Sequence, residues 1–223
     1  MTATSQHTVP SLRVTEIYKS VQGESTWAGL PCIFVRLTGC PLRCVWCDTA
    51  YAFHGGTTMT VPNVVDQCLA LDCPLVEITG GEPLAQKQCG ALAQGLLDNG
   101  LTVLCETSGS FSLDRLPRAV IKIMDLKCPD SGEEAQNDWG NLDRLSPHDE
   151  VKFVIASRKD YEWSRDVVRT HRLNDRVHAV LFSPVFGSVD PKDMVSWLLE
   201  DRLPVRFQLQ MHKFIWPPDM KGV

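Results

Sequence analysis

Three cysteines stand close together near residue 40 of this 223-residue chain: Cys40, Cys44 and Cys47, in the stretch GCPLRCVWCDT. Thiolates bind zinc and iron–sulfur clusters. A structural zinc site needs four ligands and usually pairs two cysteine knuckles, or a knuckle with two histidines. This spacing has no second knuckle, although Cys32 or His54 could complete a zinc site. A cubane iron–sulfur cluster held by three cysteines instead leaves one iron open to a non-protein ligand, and this interpretation is favoured.

A second motif, TGGEP, occupies residues 79–83 at the end of a short apolar run. Two glycines before a glutamate–proline pair are by themselves typical of a turn. They also let the backbone approach a ligand closely, because neither residue carries a side chain. The cysteine triplet followed by this motif resembles the radical S-adenosylmethionine (SAM) superfamily. That resemblance implies a 4Fe-4S cluster on the three cysteines, with the methionine end of SAM on the open iron.

Further segments narrow the resemblance to the 7-carboxy-7-deazaguanine synthases. They run in order along almost the whole chain: SVQGES (20–25), FVRLTGCPLRCVWCDT (34–49), TGGEPL (79–84), ETSG (106–109), DLKCP (125–129) and QMHKFIW (210–216). The resemblance implies a carbon–nitrogen lyase that converts 6-carboxy-5,6,7,8-tetrahydropterin to 7-carboxy-7-deazaguanine with loss of ammonia. This reaction belongs to the biosynthesis of queuosine, a tRNA modification, and related 7-deazapurines. The same resemblance implies Mg2+, a flavodoxin-type electron donor and a homodimer.

Substrate-binding roles follow from this resemblance, position by position. The pterin is expected to contact Val21, Gln22, Gly23, Glu24, Arg36, Thr79 and Pro218. Glu24 would accept hydrogen bonds from the N–H groups of the pterin. Arg36 is charged within an apolar strand, and a buried arginine normally has an anionic partner. That partner would be the substrate carboxylate, or, as the alternative, Glu16 or Glu77 in an internal salt bridge.

Cofactor-binding roles come from the same resemblance. SAM is expected to contact Trp46, Cys47, Asp48, Gly80, Gly81, Glu82, Asp125, Lys127, Ser183, Pro184, Val185 and Phe186. Thr49 matches the magnesium ligand of the family, although a threonine there could also cap a turn. His212 and Lys213 would either contact the ligands or belong to a last strand of the sheet. The chain continues past Trp216, unlike some members of the family.

The elements that must position these residues alternate between strands and helices. Strands are predicted at 32–39, 75–79, 101–109, 119–127, 151–156, 178–184 and 204–210, and helices at 62–71, 86–100, 159–172 and 190–201. This alternation predicts an α/β fold, a partial TIM-type barrel of about six parallel strands with helical crossovers, as in the radical SAM core. We expect one domain over 1–223, with an N-terminal substrate loop at about 14–30 and a polar insertion at about 128–148.

Composition excludes several other classes of protein. The net charge is −5, which argues against a general nucleic-acid or membrane-surface binder. No apolar run approaches the roughly 20 residues needed to cross a bilayer, and we expect a cytoplasmic protein. Nine cysteines in a reducing compartment should be thiols or metal ligands. Six of them lie among apolar neighbours and are expected to be buried: Cys32, Cys68, Cys73, Cys89, Cys105 and Cys128.

Two alternative functions share part of this evidence. A glycyl-radical-enzyme activase would have the cysteine triplet and the GGEP motif, but it would recognise a protein loop and leave SVQGES and Arg36 without their roles. A zinc-stabilised binding module without enzymatic activity would need only the thiols. Iron content and activity on the pterin separate these alternatives from the synthase.

Overall fold

The computed structural model describes residues 9–223, which form a sheet of nine strands with helices packed against it. The strands are β1 (Ser11–Val21), β2 (Pro31–Leu37), β3 (Thr57–Thr60), β4 (Leu75–Gly80), β5 (Thr102–Thr107), β6 (Ile121–Leu126), β7 (Glu150–Ile155), β8 (Ala179–Pro184) and β9 (Arg206–Phe207). The helices are α1 (Val61–Ala70), α2 (Cys89–Asp98), α3 (Arg158–His171), α4 (Pro191–Asp201) and α5 (His212–Ile215).

The order of strands in the sheet is β3-β1-β2-β4-β5-β6-β7-β8-β9. From β2 to β9 every neighbouring pair is parallel, whereas β1 runs antiparallel to both β2 and β3. Within the described residues the two end strands, β3 and β9, do not pair with each other. The predicted open, partial barrel is therefore confirmed, with seven parallel strands instead of about six and an antiparallel pair added at one edge.

Four of the connections between strands contain an α-helix, as predicted. Helices α1, α2, α3 and α4 precede β4, β5, β8 and β9, but short 3-10 turns connect β5 to β6 and β6 to β7. The polar segment 128–148 forms the second of these connections, with turns at Pro129–Ser131, Glu134–Gln136 and Trp139–Asp143. None of the helices described over residues 9–223 is long and apolar enough to cross a membrane.

Local sequence accounts for the start of α4 and for the buried strands. The side chain of Asp190 accepts a hydrogen bond from the backbone N–H of Lys192 at 2.9 Å, and Pro191 occupies the first turn, as predicted. Strand β2 is an almost continuous apolar run, which suits a parallel strand covered on both faces. The six cysteines expected among apolar neighbours are all buried.

Two boundary predictions were wrong. Residues 14–21 of the predicted N-terminal loop belong to strand β1, in which polar and apolar side chains alternate as in an amphipathic strand. The loop itself covers residues 22–30 and is closed by a hydrogen bond from Gln22 N to Leu30 O at 2.9 Å. The alternative that His212 and Lys213 lie in a strand was also wrong, because they begin helix α5.

Candidate active site

A cavity of about 310 Å³ opens at the carboxyl ends of the parallel strands. Successive strands contribute polar side chains to its wall: Arg36 from β2, Thr79 from β4, Glu106 from β5, Asp125 from β6 and Lys152 from β7. Parallel strands place their carboxyl ends along one edge of a sheet, where ligands of such folds bind. The fold therefore gathers chemically active residues around one space.

Most of the residues that the resemblance implies for substrate, cofactor and metal line this cavity. They are Val21, Gln22, Gly23, Glu24, Arg36, Cys40, Cys44, Trp46, Cys47, Asp48, Thr49, Thr79, Gly80, Gly81, Asp125, Lys127, Val185, Phe186 and Pro218. His212 and Lys213 line it as well, together with Asp219, Met220, Gly222 and Val223 from the C-terminal segment. The residues expected for three different ligands thus face a common interior.

The three clustered cysteines differ from the other six in exposure. Cys40, Cys44 and Cys47 are partly exposed free thiols at the cavity wall, in a turn where Cys47 N donates to Cys44 O at 3.2 Å. Burial raises the pKa of Cys40, and it raises the pKa of Cys44 to about 11 against the opposing charge of Lys127. These thiols must therefore lose protons when they bind a metal.

The three thiols of the cysteine loop have the donor chemistry of an iron–sulfur cluster. Among residues 9–223, no three or more His, Cys, Asp or Glu side chains converge closely enough to hold one metal ion. A structural zinc ion needs four ligands around a single point. In a cluster, each thiolate binds a different iron atom, so its ligands are spread over a larger space. Three separate thiols beside one cavity match that requirement.

The glycine pair of TGGEP packs directly against the cysteine loop. Gly80 has φ +139, where a side chain is strained, and a Cβ there would lie 2.6 Å from the backbone nitrogen of Leu37. A Cβ on Gly81 would lie 2.7 Å from Cβ of Cys40 and closer still to the carbonyl oxygen of Gly39. Glycine is required here because two backbones meet beside the cavity. This close approach brings the GGEP backbone next to the proposed cluster site.

Asp125 presents an unpartnered carboxylate oxygen in the cavity wall. Its Oδ2 accepts from Lys127 Nζ at 2.8 Å, but Oδ1 is buried without a hydrogen-bond partner among the described residues. Burial alone would lower the pKa of Lys127, but the charge and hydrogen bond of Asp125, together with a contribution from Cys44, outweigh burial and raise that pKa. A buried acceptor without a donor is costly and suits a ligand hydroxyl. Asp125 Oδ1 therefore offers a free acceptor to a ligand in the cavity.

Lys152 connects two carboxylates that come from distant parts of the chain. Its Nζ lies 2.8 Å from Glu24 Oε2 and also bonds to Glu106 Oε1. The other oxygen of Glu24 accepts from Gln210 Nε2 at 2.9 Å. Burial would raise the pKa of Glu24, but the charge and hydrogen bond of Lys152 outweigh it and lower that pKa. Glu24 is therefore an ionised acceptor in the wall of the cavity.

Arg36 has an internal partner, as the alternative interpretation proposed. Its Nε donates to Glu16 Oε1 at 2.7 Å and its Nη2 to the hydroxyl of Tyr18 at 3.0 Å. Burial would lower the pKa of Arg36, but Tyr18, Tyr51 and Glu16 raise it above its ordinary value. The guanidinium is thus fixed and charged at the cavity wall, with part of its donor capacity used by Glu16.

Comparisons with known proteins agree with this geometry. The model of the Radical SAM superfamily matches residues 34–196. The chain is 49% identical to the 7-carboxy-7-deazaguanine synthase of Koribacter versatilis, over 95% of this chain and 100% of that protein. It is 44% identical to the synthase of Chlorobaculum tepidum, over 95% of this chain and 97% of that protein.

The chain belongs to the 7-carboxy-7-deazaguanine synthase family of the Radical SAM superfamily. A more distant structural match supports the fold of this synthase family. The crystal structure of QueE from Escherichia coli superposes with a TM-score of 0.76 at 21% identity, covering 91% of this chain and 95% of that one. A structure of TYW1 shares the fold at a TM-score of 0.59 and 14% identity, over 76% and 72% of the two chains.

Three residues expected at the cofactor lie elsewhere in this member of the synthase family. Glu82 is fully buried and outside the cavity lining, where its carboxylate accepts from Thr107 Oγ1 at 2.8 Å and from Ser108 N at 2.7 Å. These bonds join the GGEP turn to the end of β5. Ser183 is buried beneath the surface, and Pro184 lines a separate depression beside Val185 and Phe186. Val185 and Phe186, which directly follow β8, line the main cavity.

Thr49, which the resemblance to the synthases implies as the magnesium ligand, lines the cavity. It precedes the 3-10 turn Ala50–Ala52 but makes no side-chain capping bond to it. Its hydroxyl instead donates to Asp48 Oδ1 at 2.9 Å, and Asp48 Oδ2 lies 2.8 Å from Lys213 Nζ. Burial would raise the pKa of Asp48, but Lys213 holds it at about 2. Thr49 thus presents a lone pair beside an ionised carboxylate.

Lys152, Glu106, Glu77 and Gln210 line the cavity but were absent from the residues expected at the site. One signal could have found Lys152. Like Arg36, it is a charge inside an apolar strand, VKFVIA, and buried lysines are rare unless they are paired. Glu106 belongs to the ETSG segment that carried part of the resemblance, although no role was attached to it.

Proposed function

We propose that this chain converts 6-carboxy-5,6,7,8-tetrahydropterin to 7-carboxy-7-deazaguanine with loss of ammonia, by radical SAM chemistry. The observation that carries the proposal is a single cavity that joins three thiols, a close-packed glycine pair and a set of buried charges. The names of the curated relatives support this activity. The product would enter the biosynthesis of queuosine or another 7-deazapurine.

The cofactors carry the difficult step, and the protein positions them. When bound, SAM and the 4Fe-4S cluster supply hydrogen-atom abstraction by a 5′-deoxyadenosyl radical. The thiols of Cys40, Cys44 and Cys47 would hold the cluster. The backbone at Gly80 and Gly81 would accept a hydrogen bond from the amino group of SAM. Asp125 Oδ1 would accept a hydrogen bond from a ribose hydroxyl of SAM. The remaining proposed contacts to SAM come from Trp46, Asp48, Lys127, Val185 and Phe186.

The substrate would occupy the charged half of the same cavity. Glu24, with its acceptor oxygens fixed by Lys152 and Gln210, would receive the N–H groups of the pterin. Arg36 would hold the substrate carboxylate while it keeps its bond to Glu16. Val21, Gln22, Gly23, Thr79 and Pro218 would enclose the ring system. Mg2+ would bind Thr49 together with oxygen atoms of the substrate and water.

The interior of the cavity favours a small ligand over a protein loop. Its wall contains the buried polar side chains of Glu77 and Lys152, each 3% exposed as a whole residue, which suit an enclosed polar molecule. This supports the synthase over a glycyl-radical-enzyme activase. We further propose a cytoplasmic homodimer that receives electrons from a flavodoxin-type protein. Sedimentation of the purified protein and activity with reduced flavodoxin test these two points.

One reaction decides the proposed function. Anaerobically reconstituted protein is mixed with 6-carboxytetrahydropterin, SAM, Mg2+ and a chemical reductant, and products are identified by mass spectrometry. We expect the products to be 7-carboxy-7-deazaguanine and ammonia. When the substrate carries deuterium at C6, we expect that deuterium to appear in 5′-deoxyadenosine or SAM. Cleavage of SAM without conversion of the pterin would favour an activase. A colourless protein with stoichiometric zinc and no iron would exclude both radical SAM functions.

A further inference from the structure

Lys152 is a buried cation between two partly buried carboxylates. Its side chain is 4% exposed, and its Nζ bonds to a carboxylate oxygen of Glu24 from the loop 22–30 and of Glu106 from β5. Both carboxylates also line the cavity, and the side chain of Glu106 is 27% exposed there. Each carboxylate therefore has one oxygen bonded to Lys152 and one oxygen that accepts from another donor. The second donor is Gln210 Nε2 at Glu24, and it is Thr79 Oγ1, at 3.4 Å, at Glu106.

A third carboxyl group, that of Glu77, lines the same cavity. Glu77 is buried beside the same cluster and accepts a hydrogen bond from Gln22 Nε2. Burial, and then the charge of Glu106, raise the pKa of Glu77 well above its ordinary value, which favours the neutral form of this side chain. The ammonium group of Lys152 forms ion pairs with two carboxylates, those of Glu24 and Glu106. Burial would lower the pKa of Lys152, but these two charges raise it well above the ordinary value.

Other charges surround this group on several sides. The charged and titratable side chains that act on Lys152 or on its partners are Arg36 on β2, Asp48 in the cysteine loop, Glu77 on β4, Asp125 on β6, Lys127 after β6 and His212 on α5. Arg36 is engaged with Glu16, Lys127 with Asp125, and Asp48 with Lys213. Among the described residues, Lys152 is therefore the cation in direct contact with Glu24 and Glu106.

We propose that Lys152 is a positioning residue that holds Glu24 and Glu106 ionised and oriented as paired acceptors for the N–H groups of the pterin. Two carboxylates that share a partly buried site repel each other, and a cation between them favours the ionised form of both. A neutral side chain at 152 would make one of them take up a proton. A protonated carboxyl has lost part of its capacity to accept from an N–H donor. This inference rests on the proposed function for the identity of the ligand, but its electrostatic part concerns the protein alone.

The protonation of the carboxyls can be measured without any substrate. Infrared spectra of Lys152→Met, Lys152→Gln, Lys152→Arg and wild-type protein are compared from pH 6 to 9 at the carbonyl stretch of protonated carboxyls. We expect the two neutral variants to show one additional protonated carboxyl per chain at pH 7, which disappears as the pH rises. Lys152→Arg keeps the charge and should match the wild type. Lys152→Gln keeps a hydrogen-bonding side chain if Lys152→Met does not fold.

Affinity for the pterin provides a second and independent measurement. In the neutral variants we expect KM to rise about tenfold at pH 7, because one hydrogen bond to a charged acceptor is lost. KM should return toward the wild-type value at pH 9 as the carboxyl ionises again, with a smaller change in kcat. Direct titration of the pterin onto the SAM-loaded protein should show the same pH dependence of Kd.

Lys122 offers a matched control for the loss of a buried lysine. It is 4% exposed, forms an ion pair with buried Asp149 at 3.4 Å and lies outside the cavity lining. Lys122→Met should lower stability but leave the pH dependence of KM unchanged. The inference is overturned if the neutral variants at 152 gain no protonated carboxyl, or if their KM rises equally at every pH. If the wild type does not convert the pterin, the proposed function fails while the infrared result still decides the role of Lys152.

Discussion

Arg36 and Glu16 are directly opposite each other in the antiparallel pair β1–β2, and Nε of the arginine lies 2.7 Å from Oε1 of the glutamate. Tyr51 also donates its hydroxyl to the same oxygen of Glu16, at 2.7 Å. The side chain of Arg36 is 14% exposed and faces the cavity. The arginine is thus held rigidly before any ligand arrives, which lowers the entropy that binding would cost.

Arg36→Met tests whether this arginine also binds the carboxylate of the substrate. We expect KM for the carboxylated pterin to rise at least about tenfold, because a charge-assisted hydrogen bond is lost. Inhibition by tetrahydropterin without the carboxylate should change little. Glu16→Gln is the matched control, since it removes the competing charge and leaves the guanidinium in place. Equal weakening of both pterins by Arg36→Met would show a purely structural role.

Replacement of single cysteines tests the ligand set of the cluster. Cys40→Ser, Cys44→Ser and Cys47→Ser should each lose most iron and sulfide after anaerobic reconstitution and should not cleave SAM, because serine lacks the soft thiolate. Cys73→Ser is the control, since that thiol is buried next to Pro31 O, outside the cavity lining. Iron and sulfide analysis with visible spectra gives the result. Full iron content in any of the three variants would remove that cysteine from the ligand set.

Gly81→Ala tests the close contact between the GGEP turn and the cysteine loop. The added Cβ would lie 2.7 Å from Cβ of Cys40, so one of the two backbones must move. We expect SAM to bind at least about tenfold more weakly, because a shift of about 1 Å in the backbone that contacts a ligand disturbs the bound geometry. Gly95→Ala in α2 is the control, because its Cβ would meet only side-chain atoms, the nearest Val65 Cγ2 at 3.2 Å. Unchanged SAM affinity in Gly81→Ala would contradict the prediction.

Asp201→Asn tests the connection between α3 and α4 at the back of the fold. The buried Tyr161 donates its hydroxyl to Asp201 Oδ2 at 2.8 Å, and this hydrogen bond, with Arg165, lowers the pKa of Asp201 below its ordinary value of 3.8. A carboxyl with a lowered folded-state pKa stabilises the fold above the unfolded value and loses that contribution as the pH falls below it. At pH 7 we expect Tm to fall by about 2–4 °C, corresponding to about 1 kcal/mol.

The pH dependence of that effect is the sharper measurement. The difference in Tm between Asp201→Asn and wild type should shrink progressively as the pH falls below about 5, because protonation of the wild-type carboxyl removes its charge. Asp166→Asn is the control, since Asp166 is exposed and pairs with Arg165 at the surface, where ion pairs contribute little. A difference that stays constant over this pH range would show that charge on Asp201 is not the cause.

Local sequence predicted the parts of the site that depend on short spacing. The cysteine triplet lies within eight consecutive residues, 40–47, and the glycine pair ends one strand, so neither needs a distant partner to be recognised. The parallel strands were predicted for the same reason: runs such as VKFVIA and HAVLFSP bury both faces, and this is visible from composition alone. The loop at 14–30 was misjudged because the amphipathic strand β1 also carries many polar residues.

Only the tertiary structure decided which charges face one another. Lys152 meets Glu24 across 128 positions of the chain, and Arg36 meets Glu16 through the register of β1 and β2. Glu82 was expected at the cofactor, yet its bonds to Thr107 and Ser108 turn it away from the cavity. The sequence by itself determined the kind of chemistry, because soft ligands and glycines act through their type and local spacing. The partners of buried charges depend on strand order and register, which residues far apart in the chain determine together.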